Sequence, residues 1–259
     1  MPHWISPHDV ENVRRCWAKI PGPIRHGLTA ITEEIQAHGK DAGQLTIAAI
    51  KRCRSHWIGW VLFISSALIG IIGCVMPHDI SLLSEVSHAG LSHSPHLLRN
   101  LAMFLSWWGD LFGFNLGVVV LIYAWSKYRR SLHWRRVAIA CVLGTVFCGS
   151  IATTLRFATG RARPTSGQPP AFHGPDFRAR YQSFPSGHTA TAFGMAMPLA
   201  VVAPVVGVPT LIAAASISWS RMQRNQHYPS DILTSILLSI CIGVPLGRAV
   251  RRQRSSGAP

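Results

Sequence analysis

The chain has 259 residues, with 25 Lys and Arg against 10 Asp and Glu, a net charge of +15, 48% hydrophobic residues and only 14% charged. A soluble nucleic-acid binder would carry such charge on polar faces; here it lies between apolar runs nearly free of acid, which excludes that class. Five acidic residues precede residue 42 and only Asp176 and Asp231 follow Asp110, the pattern of a multi-span membrane protein with basic loops beside anionic lipid.

Residues 1–55 read as a polar N-terminal tail. Val10, Val13, Trp17 and Ile20 share one helical face near Arg14, Arg15 and Lys19, so the tail is either an interfacial helix or a loosely ordered segment. No short apolar stretch follows a basic start, so no cleaved signal peptide is expected and the first apolar span does the targeting.

Six apolar runs follow, at residues 57–75, 111–125, 137–155, 189–204, 205–219 and 232–247. Each approaches the roughly 20 residues that about 30 Å of hydrocarbon requires. The expected fold is therefore all-α, a polytopic membrane domain of six transmembrane helices over residues 56–248 with a basic C-terminal tail at 249–259. The second run has an alternative start near Leu97, which makes Trp107, Trp108, Gly109 and Asp110 an interfacial break. The turn between the fourth and fifth runs is expected at 204–209.

Seventeen basic residues fall in the N-terminal tail, the loop at 127–136 and the C-terminal tail, against eight on the other side. The positive-inside rule then puts both termini in the cytoplasm, with the inner membrane as location. Seven of the eight outer residues lie between Arg156 and Arg224, where anchoring has no use for them. The six cysteines form no Cys-x-x-Cys pair and are expected to be packing thiols. His78, His88, His93 and His96 crowd the first outer loop, but their spacing fits a tetrahedral metal site poorly.

The chemistry concentrates in three segments: Arg156 to Arg163-Pro164, Pro185-Ser186-Gly187-His188, and Ser220-Arg221 to His227 and Asp231. From His188 to Ser220 the chain has room for one crossing inward and one back, about 24 Å each as helix. All three segments therefore return to one membrane face. Three arginines there offer bidentate forks to phosphoryl oxygens, and Ser186 with the Gly187 and His188 amides opens a helix N-terminus. Two histidines divide the work of nucleophile and general acid, and Asp231, four residues after His227, is placed to take its ring N–H.

These segments resemble the signature of the type 2 phosphatidic acid phosphatase superfamily, relatives of the vanadium haloperoxidases: Lys-x6-Arg-Pro, Pro-Ser-Gly-His, Ser-Arg-x5-His-x3-Asp. Every position matches except the first, where Arg156 stands for Lys. The resemblance implies His227 as nucleophile forming a phospho-histidine, Asp231 as its orienting partner and His188 as the acid that protonates the leaving oxygen. It further implies Arg156, Arg163, Arg221, Ser186 and Gly187 as phosphate-binding groups, with no metal and no other cofactor.

The implied function is an integral membrane lipid phosphatase whose site lies at the extracytoplasmic ends of the spans and whose partners are a lipid phosphate and the bilayer, not nucleic acid. Isoprenyl diphosphate carriers, phosphatidic acid, phosphatidylglycerophosphate and lipid A phosphates are the candidate substrates by family analogy. A phosphotransferase using the same phospho-histidine and a non-catalytic lipid-phosphate transporter are the rivals. Arg156 either grips phosphate or snorkels to the interface. Arg161, Arg178, Arg180 and Arg224 match no motif position and read as surface charge or as contacts to a second phosphate or polar head. Asp110 either braces one of the outer arginines or faces water.

Overall fold

The computed structural model describes residues 21–89, 95–109 and 111–255. Among them the architecture is all-helical, with a single isolated bridge between Arg161 and Phe172 as its only β pairing. The chain divides into two compact units, residues 1–43 and 44–259, and the site belongs to the second. The amphipathic face expected around Val10 to Ile20 lies outside the described residues, while α1 (Gly22–Ser55) is one continuous helix.

Helix α2 (Trp57–Gly70) is strongly apolar and has no buried residue, as suits a helix bathed in lipid. A π turn at Ile71–Val75 and a 3-10 turn at Met76–His78 carry it into α3 (Asp79–Ala89). The run Trp57–Ser87 is 31 residues long, about 46 Å at 1.5 Å per residue, and so outlasts about 30 Å of hydrocarbon. Helix α4 (Pro95–Trp108) and helix α5 (Leu116–Tyr128), joined by a π turn at Leu111–Asn115, are bent by 60°. Helix therefore extends back past residue 97, as the alternative start of the second run expects, with Trp107 and Trp108 at the bend; Asp110 itself lies outside the described residues.

Helix α6 (Leu132–Thr159) starts where the Ser131 hydroxyl accepts from the Trp134 amide and stops at Gly160, whose φ is 56°. It is followed, after a long loop, by α7 (Gly187–Val202), α8 (Pro204–Gln223) and α9 (Pro229–Ser255). The expected turn at 204–209 is instead the single residue Ala203, because Pro204 takes the first helical turn, where its missing N–H leaves no donor unpaired. Among the described residues four helical runs are long and apolar enough to cross a membrane, or five if the bent α4–α5 pair is counted as one span. The 16 residues of α7 reach only about 24 Å.

Helices α6, α7 and α9 pack together at the centre. Gly144 of α6 and Gly194 of α7 meet backbone to backbone, since a Cβ on Gly144 would stand 2.1 Å from the Gly194 carbonyl oxygen. Around this contact Val137, Cys141, Phe193, Met195, Leu199 and Val250 form the core. Cys141 and Cys148 are buried thiols as expected, whereas Cys74 is exposed, the inward position of its turn being taken by Ile71. Leu62, Ile69, Leu121, Val205 and Ile212 are also exposed. Large apolar side chains standing outward along long apolar helices mark an integral membrane protein.

Candidate active site

The C-terminal ends of α6 and α8 and the N-terminal ends of α7 and α9 meet at one end of the bundle, and the loop at 160–186 straps across them. The start of α7 is tied to α9: the Ser186 amide donates to the Asp231 carbonyl at 3.3 Å, and the Ser235 hydroxyl donates to the Ser186 carbonyl at 2.9 Å. The three sequence segments are thereby brought together.

Arg156 ends α6 with its guanidinium laid over Gly187, the first residue of α7. A Cβ at position 187 would stand 3.2 Å from that guanidinium carbon, so glycine is what lets the planar group settle on the helix start. One Arg156 nitrogen donates to the Thr153 hydroxyl at 2.9 Å, while the buried Nε has no partner among the described residues. Arg156, Gly187 and His188 line one wall of a groove of about 710 Å³ between α6 and α7, with Thr153 and Thr191 beside them.

Arg163 is held by the Gln226 side-chain oxygen at 2.5 Å. Burial, with the charge of nearby Arg156, holds its guanidinium below its ordinary value. Arg221 is buried and donates to the Ser106 hydroxyl of α4, which Arg224 also reaches at 3.0 Å. Guanidinium groups kept close against their mutual repulsion form a ready site for a multiply charged anion.

His227 is 1% exposed. Its Nδ1 lies 2.7 Å from the Ser183 carbonyl oxygen, and a carbonyl only accepts, so Nδ1 carries the proton and Nε2 keeps its lone pair. The partner expected for that N–H, Asp231, stands 3.7 Å away. The reason is that its carboxylate is occupied: Oδ2 accepts from the Ser183 hydroxyl at 2.6 Å and the Tyr228 amide at 2.8 Å. Burial lowers the His227 pKa from its ordinary value, and the charges of Arg221 and Arg163 add to the effect against the opposing pull of Asp231.

Arg161 is not surface charge. It is fully buried, donating through Nη1 to the other oxygen of Asp231 and through Nη2 to Asp79 of α3 at 2.6 Å. The rings of Phe172, Phe184 and Tyr228 enclose it, with the Tyr228 ring centre at 4.7 Å. Burial alone would lower its pKa, but the two carboxylates outweigh it and raise the value. An unpaired charge is not tolerated at such a depth, which is why Arg161 needs both acids.

The remaining candidates have other side-chain partners, although the Arg180 carbonyl accepts from the Arg163 amide at 2.8 Å. Arg178 closes on Asp176 with a fork of 3.0 and 2.5 Å, which holds the Asp176 carboxyl down at about 2. Arg180 is exposed and lies against the Tyr181 ring. Among the described residues no group of three or more His, Cys, Asp or Glu is placed to hold a metal, and His93 lies outside them. Asp79, Arg161, Ser183 and Ser106 are the residues that motif reading misses. The signal for Asp79 was available: an acid closing a long apolar run is costly and therefore paired.

Comparison with known proteins adds three findings. Residues 137–255 match the family model described as the PAP2 superfamily. Over 178 residues the chain is 27% identical to a lipid A 1-phosphatase of Rhizobium etli, covering 61% of this chain and 73% of the relative; the lipid A 1-phosphatase of Rhizobium johnstonii matches at 27% over 61% and 70%. In fold, the chain is similar to a transmembrane PAP2 type phosphatidylglycerolphosphate phosphatase from Bacillus subtilis. That likeness has a TM-score of 0.53 at 21% identity and covers 77% of this chain and 96% of the other.

Proposed function

We propose that the chain is a member of the PAP2 superfamily, whose family model matches residues 137–255, and that it is a membrane lipid phosphatase that works through a phospho-histidine on His227. It is a hydrolase of phosphoester bonds embedded in a membrane. The name shared by the Rhizobium relatives makes the 1-phosphate of lipid A the leading substrate. Six spans in the inner membrane, both termini in the cytoplasm and the site on the extracytoplasmic face complete the reading; the excess of Lys and Arg in both tails supports that orientation.

One observation carries the reading: Arg163 and Arg221 bear on His227, whose tautomer is fixed by the Ser183 carbonyl, while Arg156 lines a groove with His188. In the first step the lone pair of His227 Nε2 attacks phosphorus while the bond from phosphorus to the lipid oxygen breaks. His188, which lines the groove, gives that oxygen its proton. The arginines, with Ser186 and the Gly187 amide, balance the charge on the phosphoryl oxygens. In the second step water attacks the phospho-histidine, His188 takes back a proton, and inorganic phosphate leaves with His227 restored. The guanidinium groups supply the positive charge that a divalent ion brings elsewhere, so the reaction proceeds without metal.

The test is phosphate release by the purified protein in detergent with excess chelator, from lipid A, phosphatidic acid, phosphatidylglycerophosphate and an isoprenyl diphosphate. The reading expects release from at least one of them and its loss in His227→Ala. No release from any, or release that survives His227→Ala, overturns it. Transfer of label to a second lipid would instead mark a phosphotransferase.

A further inference from the structure

We propose that Asp79 and Arg161 are positioning residues for His227, forming with Asp231 a buried carboxylate–guanidinium–carboxylate chain that fixes the Asp231 side chain behind the imidazole. The inference rests on the phosphatase reading above.

The chain of contacts is continuous. Asp79 Oδ2 accepts from Arg161 Nη2 at 2.6 Å and from the Ser230 hydroxyl at 2.5 Å, and its Oδ1 accepts from the Ser230 amide at 2.9 Å. Arg161 Nη1 donates to the Ser230 hydroxyl at 2.7 Å and to Asp231 Oδ1. Asp79, Arg161, Ser230 and Asp231 are each no more than 1% exposed. The Arg161 carbonyl accepts from the Ser183 amide at 3.1 Å, and Ser183 in turn binds both His227 and Asp231. Helix α3, which belongs to no signature segment, thus reaches the nucleophile through one guanidinium.

Two consequences follow. With Oδ1 held by Arg161, the Asp231 carboxylate cannot rotate toward water, and it stays within 4 Å of the His227 ring, close enough to stabilise positive charge there as the ring attacks phosphorus. Arg161 alone would cancel the Asp231 charge; Asp79 restores the chain to one net negative charge. The charged groups facing His227 are Asp231 from α9, Arg221 from α8 and Arg163 from the strap. Those facing Arg161 are Asp79 and Asp231, with the Tyr228 phenol over its plane.

The experiment measures kcat, KM and the pH dependence of kcat for full-length wild type, Asp79→Asn and Arg161→Lys in detergent, with lipid A and phosphatidic acid as substrates. Asp79→Asn keeps the shape but removes the compensating charge, so His227 protonates less readily. Its kcat is expected to fall about tenfold at nearly constant KM, and its acidic limb to move to lower pH. The substrate's own ionisation is common to both proteins and cancels in the difference. Arg161→Lys keeps the charge and loses the fork, so kcat falls while the limb stays in place; it serves as the test should Asp79→Asn not accumulate. Wild-type kcat and an unmoved limb in the folded variants, or a loss of thermal stability alone, overturns the proposal. An inactive wild type overturns the phosphatase reading itself, whereas an active wild type with unaltered variants overturns only the positioning role.

Discussion

The guanidinium of Arg156 rests on Gly187 so closely that a Cβ at 187 would come within 3.2 Å of it. This contact joins the end of α6 to the start of α7, at the position where the family signature has lysine. The planar group covers the helix N-terminus and keeps its buried Nε free of any described partner.

Arg156→Lys is expected to lower kcat/KM even though it restores the usual family residue, because an ammonium on a shorter stem cannot cover the same surface. Arg156→Ala is expected to be worse. Losing a charge-assisted hydrogen bond costs on the order of 1.5 to 3 kcal/mol, or roughly ten- to a hundredfold if the contact acts in the transition state. Steady-state kinetics on the two folded variants check this. Equal activity of Lys and Arg at this position, with Ala affecting only stability, would show that Arg156 merely anchors the helix end.

His188→Ala is expected to lose most activity on lipid substrates, whose alkoxide leaving group needs a proton, and much less on an aryl phosphate, whose leaving group does not. The check is the ratio of kcat/KM on the two substrate types in wild type and variant. Equal loss on both would contradict the acid role.

Much of this site is legible in the sequence because its parts are local. Pro-Ser-Gly-His opens a helix at Gly187 as such a string should, and the distance from His188 to Ser220 suffices to return the chain to one end of the bundle. What stays hidden is contact across long separations. Arg161 reads as an ordinary loop charge until the strap folds it between Asp79 and Asp231, 82 and 70 residues away. The same holds for the Ser183 carbonyl: backbone acceptors carry no sequence signal, so the ring N–H of His227 is naturally assigned to the carboxylate four residues on. A proline signals a helix start as readily as a turn, so the turn expected at 204–209 falls instead at Ala203, and Pro204 starts α8.

The pH dependence has a definite sign. Burial depresses the His227 pKa below its unfolded value, so the folded protein binds fewer protons there than the unfolded chain. Stability from this residue is fully present above the ordinary imidazole range and is lost as pH falls toward and through the depressed folded-state value. Thermal unfolding in detergent should therefore show wild type losing more on acidification from pH 7 to about pH 5 than His227→Gln does, since the amide does not titrate. Identical acid sensitivity in the two proteins would contradict a buried neutral ring.

Arg178, itself an exposed side chain, is committed to Asp176 in an ion pair. Arg178→Ala is therefore expected to change kcat/KM on lipid A less than about threefold, consistent with the small worth of exposed ion pairs. A loss of tenfold or more in the same assay would mean that Arg178 leaves Asp176 to hold a substrate head group.

The most direct measurement is a search for the phospho-enzyme itself. Substrate labelled in its phosphoryl group is mixed with the purified protein, the reaction is quenched in alkali within milliseconds, and label on the polypeptide is mapped by peptide. The account predicts label on His227 that is stable in base and lost in acid, and none on His227→Ala. Hydrolysis at a normal rate with no label on the chain, or label that persists in His227→Ala, would contradict it.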